Sequence, residues 1–332
     1  MRIMISGIAG FLGSHLADKF LAQGHEVLGV DNLIGGYMSN VPFGVKFFEY
    51  DCGNLEAMNS IMEGVDVVYH CACTAYEGLS VFSPSLIVEN TVGITATMLS
   101  AAISNKVKRF VYCSSMARYG AGTPPFKETD ATNPQDPYGI SKLASEQLVR
   151  NLCETHGMEY VIAVPHNIIG PRQKYDDPFR NVASIMANMM IQGRQPFIYG
   201  DGEQKRCFSF ISDVVEPLSR MATDDLNGQI INIGPDEEFI TINRLAEVLA
   251  EITDFDLHPT YVPQRPCEVK LATCSSDKAR RLLDYATKTD LRTGLASIVD
   301  HIRQNGVKPF QYHLPLEITN EKTPKTWLNK LF

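Results

Sequence analysis

The sequence has a single tryptophan, no block of consecutive like charges and no continuous apolar run near the ~18 residues that span a bilayer. The opening "MRIMISG" leads straight into a strand pattern and lacks the charged segment, apolar stretch and cleavage site of a signal peptide. Without basic blocks, and with a formal net charge of −8, the chain is not expected to bind nucleic acid or an anionic membrane nonspecifically. Internal repeats and low-complexity segments are missing too, which excludes solenoid and disordered classes. Cysteine is present, eight residues in all, but Cys71 and Cys73 form a C-x-C with no second pair at zinc-finger spacing. No metal site is expected, and reduced thiols in a cytoplasmic protein are the better reading.

What is there suits a soluble globular chain: 44% apolar and 20% charged residues, at a length sufficient for two interlocked lobes. "RIMIS", "EVLGV", "VKFFEY", "VDVVYHCA", "RFVYCSS" and "EYVIAV" are continuous apolar runs, as expected of strands covered on both faces. Amphipathic stretches at 11–22, 85–104 and 138–156 lie between them. This alternation predicts an α/β fold, a doubly wound parallel sheet of Rossmann type over residues 1–170. Past residue 170 the texture changes. "FRNVASIMANMMIQG" reads as a helix closing on Gly193, and "FIYGDGEQKRCFSFISD" as strand, turn, strand. "QIINIG" can rejoin the sheet, so a smaller interwoven lobe is expected over 171–305, with part of 210–240 returning to the first. Helices are predicted near 241–252, 276–284 and 292–303. The tail, 306–332, carries Trp327 amid polar residues and has no assignable role.

"GIAGFLG" sets Gly7, Gly10 and Gly13 directly after the first strand and opens a helix. Glycines there permit a tight turn and close backbone approach to a pyrophosphate, which the free N–H groups of a helix N-terminus then bind. Asp31 ends the second strand and suits the two ribose hydroxyls while repelling a 2′-phosphate, which favours NAD over NADP. Asp51 closes the third strand and can either reach the adenine or cap a turn. His70 reads as a neutral core histidine, and Asn90 as either a helix bend or a polar contact near the nicotinamide.

"DPYGISK" gives Tyr138 and Lys142, one helical turn apart on one face, with Pro137 at the first turn. A nearby ammonium and a cationic nicotinamide ring stabilise phenolate, so Tyr138 is expected to titrate lower than usual and to take a proton from a sugar hydroxyl. Ser115, at the end of its strand, can hydrogen-bond the same oxygen.

With "GIAGFLG", "DN" at 31–32, "SSMARYG", "DPYGISK", "PHNIIGPRQ" and "GDGEQKRCFSFISDV", residues 1–300 resemble the extended short-chain dehydrogenase/reductase family, in its nucleotide-sugar branch. The likeness is greatest to members of the UDP-glucose 4-epimerase type. The resemblance implies Ser115, Tyr138 and Lys142 as the catalytic set. It implies NAD held by Gly7, Gly10, Phe11, Leu12, Gly13, Asp31, Asn32, Asp51, Cys52, Ala72, Asn90 and Pro165, with Tyr138 and Lys142. For a UDP-sugar it implies Asn167, Arg206 and Arg265 at the diphosphate, the two guanidiniums suiting an anion through charge-assisted bonds. Arg180 and Asn181, opening the helix after "DDP", are further candidates on the substrate side. A homodimer pairing the helices near 90–104 and 138–156 is implied as well.

The chain departs from the family pattern at Val164, Cys71, Cys73 and Cys267, the last in place of a common glycine. After the catalytic hydroxyl stand Met116 and Ala117, where 4,6-dehydratases have Asp and Glu, decarboxylating members a Glu, and 3,5-epimerases a Cys. Neither Met nor Ala transfers protons. Oxidation and reduction at carbon 4 is the reaction left, so 4-epimerisation through a 4-keto sugar is expected. A 4,6- or 5,6-dehydratase using Glu77 or a cysteine instead, and a nonenzymatic NAD-binding regulator, are the alternatives.

Overall fold

The computed structural model describes residues 1–267 and 271–332. Its centre is a seven-stranded parallel sheet: β1 (Arg2–Ser6), β2 (Glu26–Asp31), β3 (Lys46–Glu49), β4 (Val67–His70), β5 (Arg109–Cys113), β6 (Glu159–Pro165) and, beside β6, the strand Gln229–Ile233. β1 lies between β4 and β2, so the chain winds outward in both directions from it and leaves a crevice at the carboxyl ends of β1 and β4.

Continuous apolar runs are what this architecture demands, because successive residues point to opposite faces and both faces are covered. Ile3 and Ile5 point to one face, where Leu16 and Phe20 of Phe11–Ala22 and Val214 and Leu218 of Ile211–Arg220 pack. Met4 points to the other, against Met98 and Leu99 of Ile94–Ser104 and Val149 and Cys153 of Pro137–His156. Truncating such a side chain to alanine costs about 2–5 kcal/mol.

The second lobe packs Met186 and Met190 of Val182–Ile191 against Leu245 and Leu249 of Ile242–Thr253 and Leu295 and Ile298 of Leu291–Asn305. One expectation changes here, and the pairing of two strands is added. The helix predicted from Phe179 begins at Val182, because the Asn181 side chain accepts from the Ala183 N–H and caps it. The strands on either side of the Asp201-Gly202 turn do not pair with each other. Phe197–Tyr199 runs parallel to Thr260–Val262, while Lys205–Arg206 pairs with Ile240–Thr241 and Leu271–Ala272.

The amphipathic stretch expected at 85–104 is Pro84–Ser104, a helical stretch long and apolar enough to cross a membrane by length and composition. Its Ile94, Met98, Leu99, Ala101 and Ala102 are buried in the core beside the sheet. The stretch is one helix only in outline, since Glu89–Gly93 forms a π-turn inside it.

Candidate active site

The glycine turn is built by close approach. Gly7 has φ +72°, and a side chain on it would meet the Ala72 nitrogen at 2.9 Å. A Cβ on Gly13 would lie 2.3 Å from the Gly7 carbonyl oxygen, so the helix can start against the turn only with glycine there. Beside it, the Asp31 carboxylate accepts from the Ala9 N–H at 3.0 Å and the Leu33 N–H at 2.7 Å. Burial pushes this carboxyl up, while the N–H groups of Leu33, Ala9 and Gly10 favour its charge.

Every residue assigned to the cofactor lines one cavity: Gly7, Gly10, Phe11, Leu12, Gly13, Asp31, Asn32, Asp51, Cys52, Ala72, Asn90, Tyr138, Lys142 and Pro165. The bare glycine cradle, with an acid beyond it and the Tyr138–Lys142 pair at the far end, fits a dinucleotide. Two readings left open in the sequence prove compatible. Asp51 accepts from the Gly53 N–H at 2.7 Å, as a turn cap, and from Asn32 Nδ2 at 2.8 Å, while still facing the cavity. Asn90 sits in the π-turn and also lines the cavity.

His70 is wholly buried and does structural work. Thr95 gives its only hydroxyl proton to the Thr91 carbonyl at 2.6 Å, so it accepts from His70 Nε2 at 3.0 Å. Nδ1 is then the acceptor for Ser6 Oγ at 2.7 Å. Burial lowers the imidazole to about 3, and it stays neutral.

The candidate reaction centre is set by a helix start. Asp136 accepts from the Gly139 N–H at 2.9 Å, Pro137 occupies the first turn, and Tyr138 follows at the cavity wall. Lys142, one turn on, donates to the Cys113 carbonyl at 2.7 Å, and its ammonium lies 5.1 Å from the Tyr112 ring centre and 5.9 Å from that of Tyr138. Burial opposes the Lys142 charge, but Cys73, Tyr112 and Tyr138 outweigh it and raise the group. The expected lowering of Tyr138 is not what the protein alone produces. Burial raises the phenol, and the Lys142 ammonium and a hydrogen bond to Ser115 only oppose that rise. Ser115 accepts from the Ala117 N–H at 3.2 Å, which leaves its own proton to donate.

An adjoining cavity is lined by Ser115, Tyr138, Asn167, Arg180, Asn181, Arg206 and Arg265, so the predicted substrate residues share one space. Asn167, at φ 44°, donates to the Cys207 carbonyl at 3.1 Å. Arg265 lies 4.6 Å over the Tyr199 ring. Arg180 does not belong to the substrate side alone: it lines both cavities, 4.8 Å over the Tyr76 ring, and donates to the Gly35 carbonyl at 3.3 Å. Asn181 is occupied as a helix cap. Cys267 has φ 60°, which explains why glycine is common at that position.

Glu77, named from the sequence only for the dehydratase alternative, is placed at the cavity, and two further features, at Gly36 and behind Ser115, were not legible in the sequence. Glu77 lines the substrate cavity together with Ser115 and Tyr138, so a carboxylate faces the reaction centre although none follows Ser115. Gly36 abuts the Ala9 carbonyl, where a Cβ would come within 2.1 Å, and "GG" at 35–36 was its only signal. Behind Ser115, the Ser114 hydroxyl donates to Glu146, which is buried and ion-paired with Arg118 at 3.0 Å. Glu146 is two turns beyond Tyr138 on the same helix, but nothing in the sequence marks it as paired.

The profile of the NAD dependent epimerase/dehydratase family matches residues 3–234. Among curated relatives, the UDP-N-acetyl-alpha-D-glucosaminuronate decarboxylase of Bacillus cytotoxicus is 32% identical, covering 79% of this chain and 83% of its own. A Thermotoga maritima UDP-glucose 4-epimerase solved with UDP-glucose superposes with a TM-score of 0.87 at 30% identity, over 92% of this chain and 99% of its own. A Bacillus cereus UDP-glucuronic acid 4-epimerase solved with UDP-glucuronic acid and NAD gives 0.86 at 27%, over 92% and 100%.

Proposed function

The chain belongs to the NAD-dependent epimerase/dehydratase family, and from that premise we propose that it inverts carbon 4 of a UDP-sugar through a transient 4-keto sugar. The observation that carries this is the meeting of Tyr138, Ser115 and Lys142 where the dinucleotide cavity opens into one lined by Arg206 and Arg265. NAD, when bound, supplies a hydride acceptor and donor and a positive ring beside Tyr138. Phenolate Tyr138 takes the 4-hydroxyl proton and later returns it, Ser115 donates a hydrogen bond to the same sugar oxygen, and Lys142 holds the phenolate by its charge. Arg206 and Arg265 anchor the diphosphate, so that the sugar can turn while the nucleotide stays bound.

Glu77 supports a second reading, proton removal from carbon 5 in an elimination or proton delivery to carbon 5 after loss of carbon dioxide, as the decarboxylase among the relatives suggests. Incubation with UDP-glucose, UDP-galactose, their N-acetyl forms and UDP-glucuronic acid in deuterated water separates the two. Epimerisation at carbon 4 yields the epimer with no solvent deuterium on carbon, because the hydrogen removed from carbon 4 would return to it without exchanging with water. Deuterium at carbon 5, or loss of water or carbon dioxide, would establish the second reading. Tyr138→Phe should lower kcat by roughly 10²–10⁴, whereas Glu77→Gln should leave 4-epimerisation within a few-fold. Full biological effect in Tyr138→Phe would instead indicate a nonenzymatic regulator.

A further inference from the structure

Residues 306–332 are bonded to both lobes of the molecule. On the second-lobe side, the Lys308 carbonyl accepts from Asn188 Nδ2 at 2.9 Å and Gln192 Nε2 at 3.1 Å. On the sheet side, Ser83 Oγ donates to the Pro315 carbonyl at 2.6 Å, and Glu317 accepts from the Ser85 and Leu86 N–H groups at 3.0 and 2.9 Å. Trp327 is buried, with ring centres 6.0 Å from Phe82 and 5.2 Å from Phe179, in a cluster that also contains Tyr138. The segment then returns to the second lobe. Arg194 donates to the Leu331 carbonyl at 2.7 Å, and the Phe332 N–H donates to the Tyr312 hydroxyl at 3.0 Å.

This path ends in the cavity itself. Phe332 lines it next to Phe197, Ile198 and Tyr199, its ring edge-on to Phe197 at 5.3 Å. Tyr199 links the tail to the anion-binding end: its hydroxyl meets Thr326 Oγ1 at 2.5 Å, and its ring carries the Arg265 guanidinium. A nucleotide sugar is linear. With the sugar at Tyr138 and the diphosphate at Arg206 and Arg265, the base must lie beyond the arginines, where the wall turns aromatic.

On the nucleotide-sugar reading above, we propose that residues 326–332 complete the nucleobase subsite. Phe332 lies against the base, and Thr326, acting through Tyr199, is a positioning residue for Arg265. Aromatic contact of this kind costs no charge and suits any planar base, so Phe332 contributes affinity for the nucleoside and none for a bare anion, whereas Thr326 acts on both through Arg265.

The test is calorimetric titration of NAD-loaded protein with UDP, dTDP and GDP, using the tightest binder thereafter and inorganic pyrophosphate as the control. Phe332→Ala should weaken the nucleoside diphosphate about 3–10-fold and leave pyrophosphate unchanged. Thr326→Val should weaken both, and in turnover should raise KM while sparing kcat. Emission from Trp327, the only tryptophan, reports whether the tail stays docked in each variant; if Phe332→Ala undocks it, Phe332→Leu is judged by the same criterion. Nucleoside diphosphate binding that survives loss of the Phe332 ring in a docked tail overturns the inference alone. Failure of the parent protein to bind any nucleoside diphosphate overturns the nucleotide-sugar reading, and this inference with it.

Discussion

Burial holds His70 and Tyr138 neutral by the same desolvation, but the Lys142 ammonium opposes that effect at Tyr138 and reinforces it at His70. That difference separates a structural group from a reactive one within a single wall. It also fixes a pH dependence. An unfolded His70 takes up a proton near its ordinary 6.5, whereas the folded one resists until about 3, so between these values the unfolded state binds more protons. The stability this group provides is therefore complete above 6.5 and is lost as the pH falls. Urea unfolding of His70→Gln against the parent should show the difference in stability shrinking on acidification, by at most roughly 1.4 kcal/mol per pH unit. A difference independent of pH would mean that the folded imidazole takes up its proton as readily as the unfolded one. Glu146 belongs to the same scale: paired with Arg118 and bonded to Ser114, it supports the strand end that presents Ser115.

Among the elements, the glycine turn and the π-turn carry the clearest contrast. Gly13 has no space for a Cβ, while Gly93, at the end of the π-turn, has nothing within 4 Å and an ordinary helical backbone. Gly13→Ala should weaken NAD binding at least tenfold in a cofactor titration, since the helix start must move away from Gly7. Gly93→Ala should leave NAD affinity unchanged and raise thermal stability by up to ~1 kcal/mol through helix propensity. Equal effects of the two would show that the turn does not depend on close approach. The pattern "GIAGFLG" was readable because a strand–turn–helix with three glycines admits few structures. The π-turn was not, because an apolar helical period continues through Glu89–Gly93 with only Asn90 as a hint.

At the scale of the whole molecule, the strand Gln229–Ile233 returns to the sheet beside β6, so the second lobe is anchored in the first and the cleft between them is permanent architecture. Helices Pro84–Val88 and Pro137–His156 still expose Val88 and Ile140, at 46% and 53% of their surface. We propose that these faces pair in a homodimer. Light scattering should then give twice the monomer mass, and Val88→Glu combined with Ile140→Glu should shift it to the monomer. A parent protein that is monomeric at micromolar concentration would refute the pairing.

The sequence by itself determined the parallel sheet, the dinucleotide turn and the Tyr138–Lys142 pair, because each follows from local periodicity, glycine spacing or one helical turn. Only the tertiary structure decided that Arg180 stands between the two cavities, that Glu77 faces Ser115, and that Phe332 reaches the cavity. Those contacts join segments far apart in the chain, and no local pattern records a distance that folding alone creates. The protein's own balance at Tyr138 was not legible for the same reason. Spacing places the ammonium, but how much water the phenol loses depends on everything packed around it.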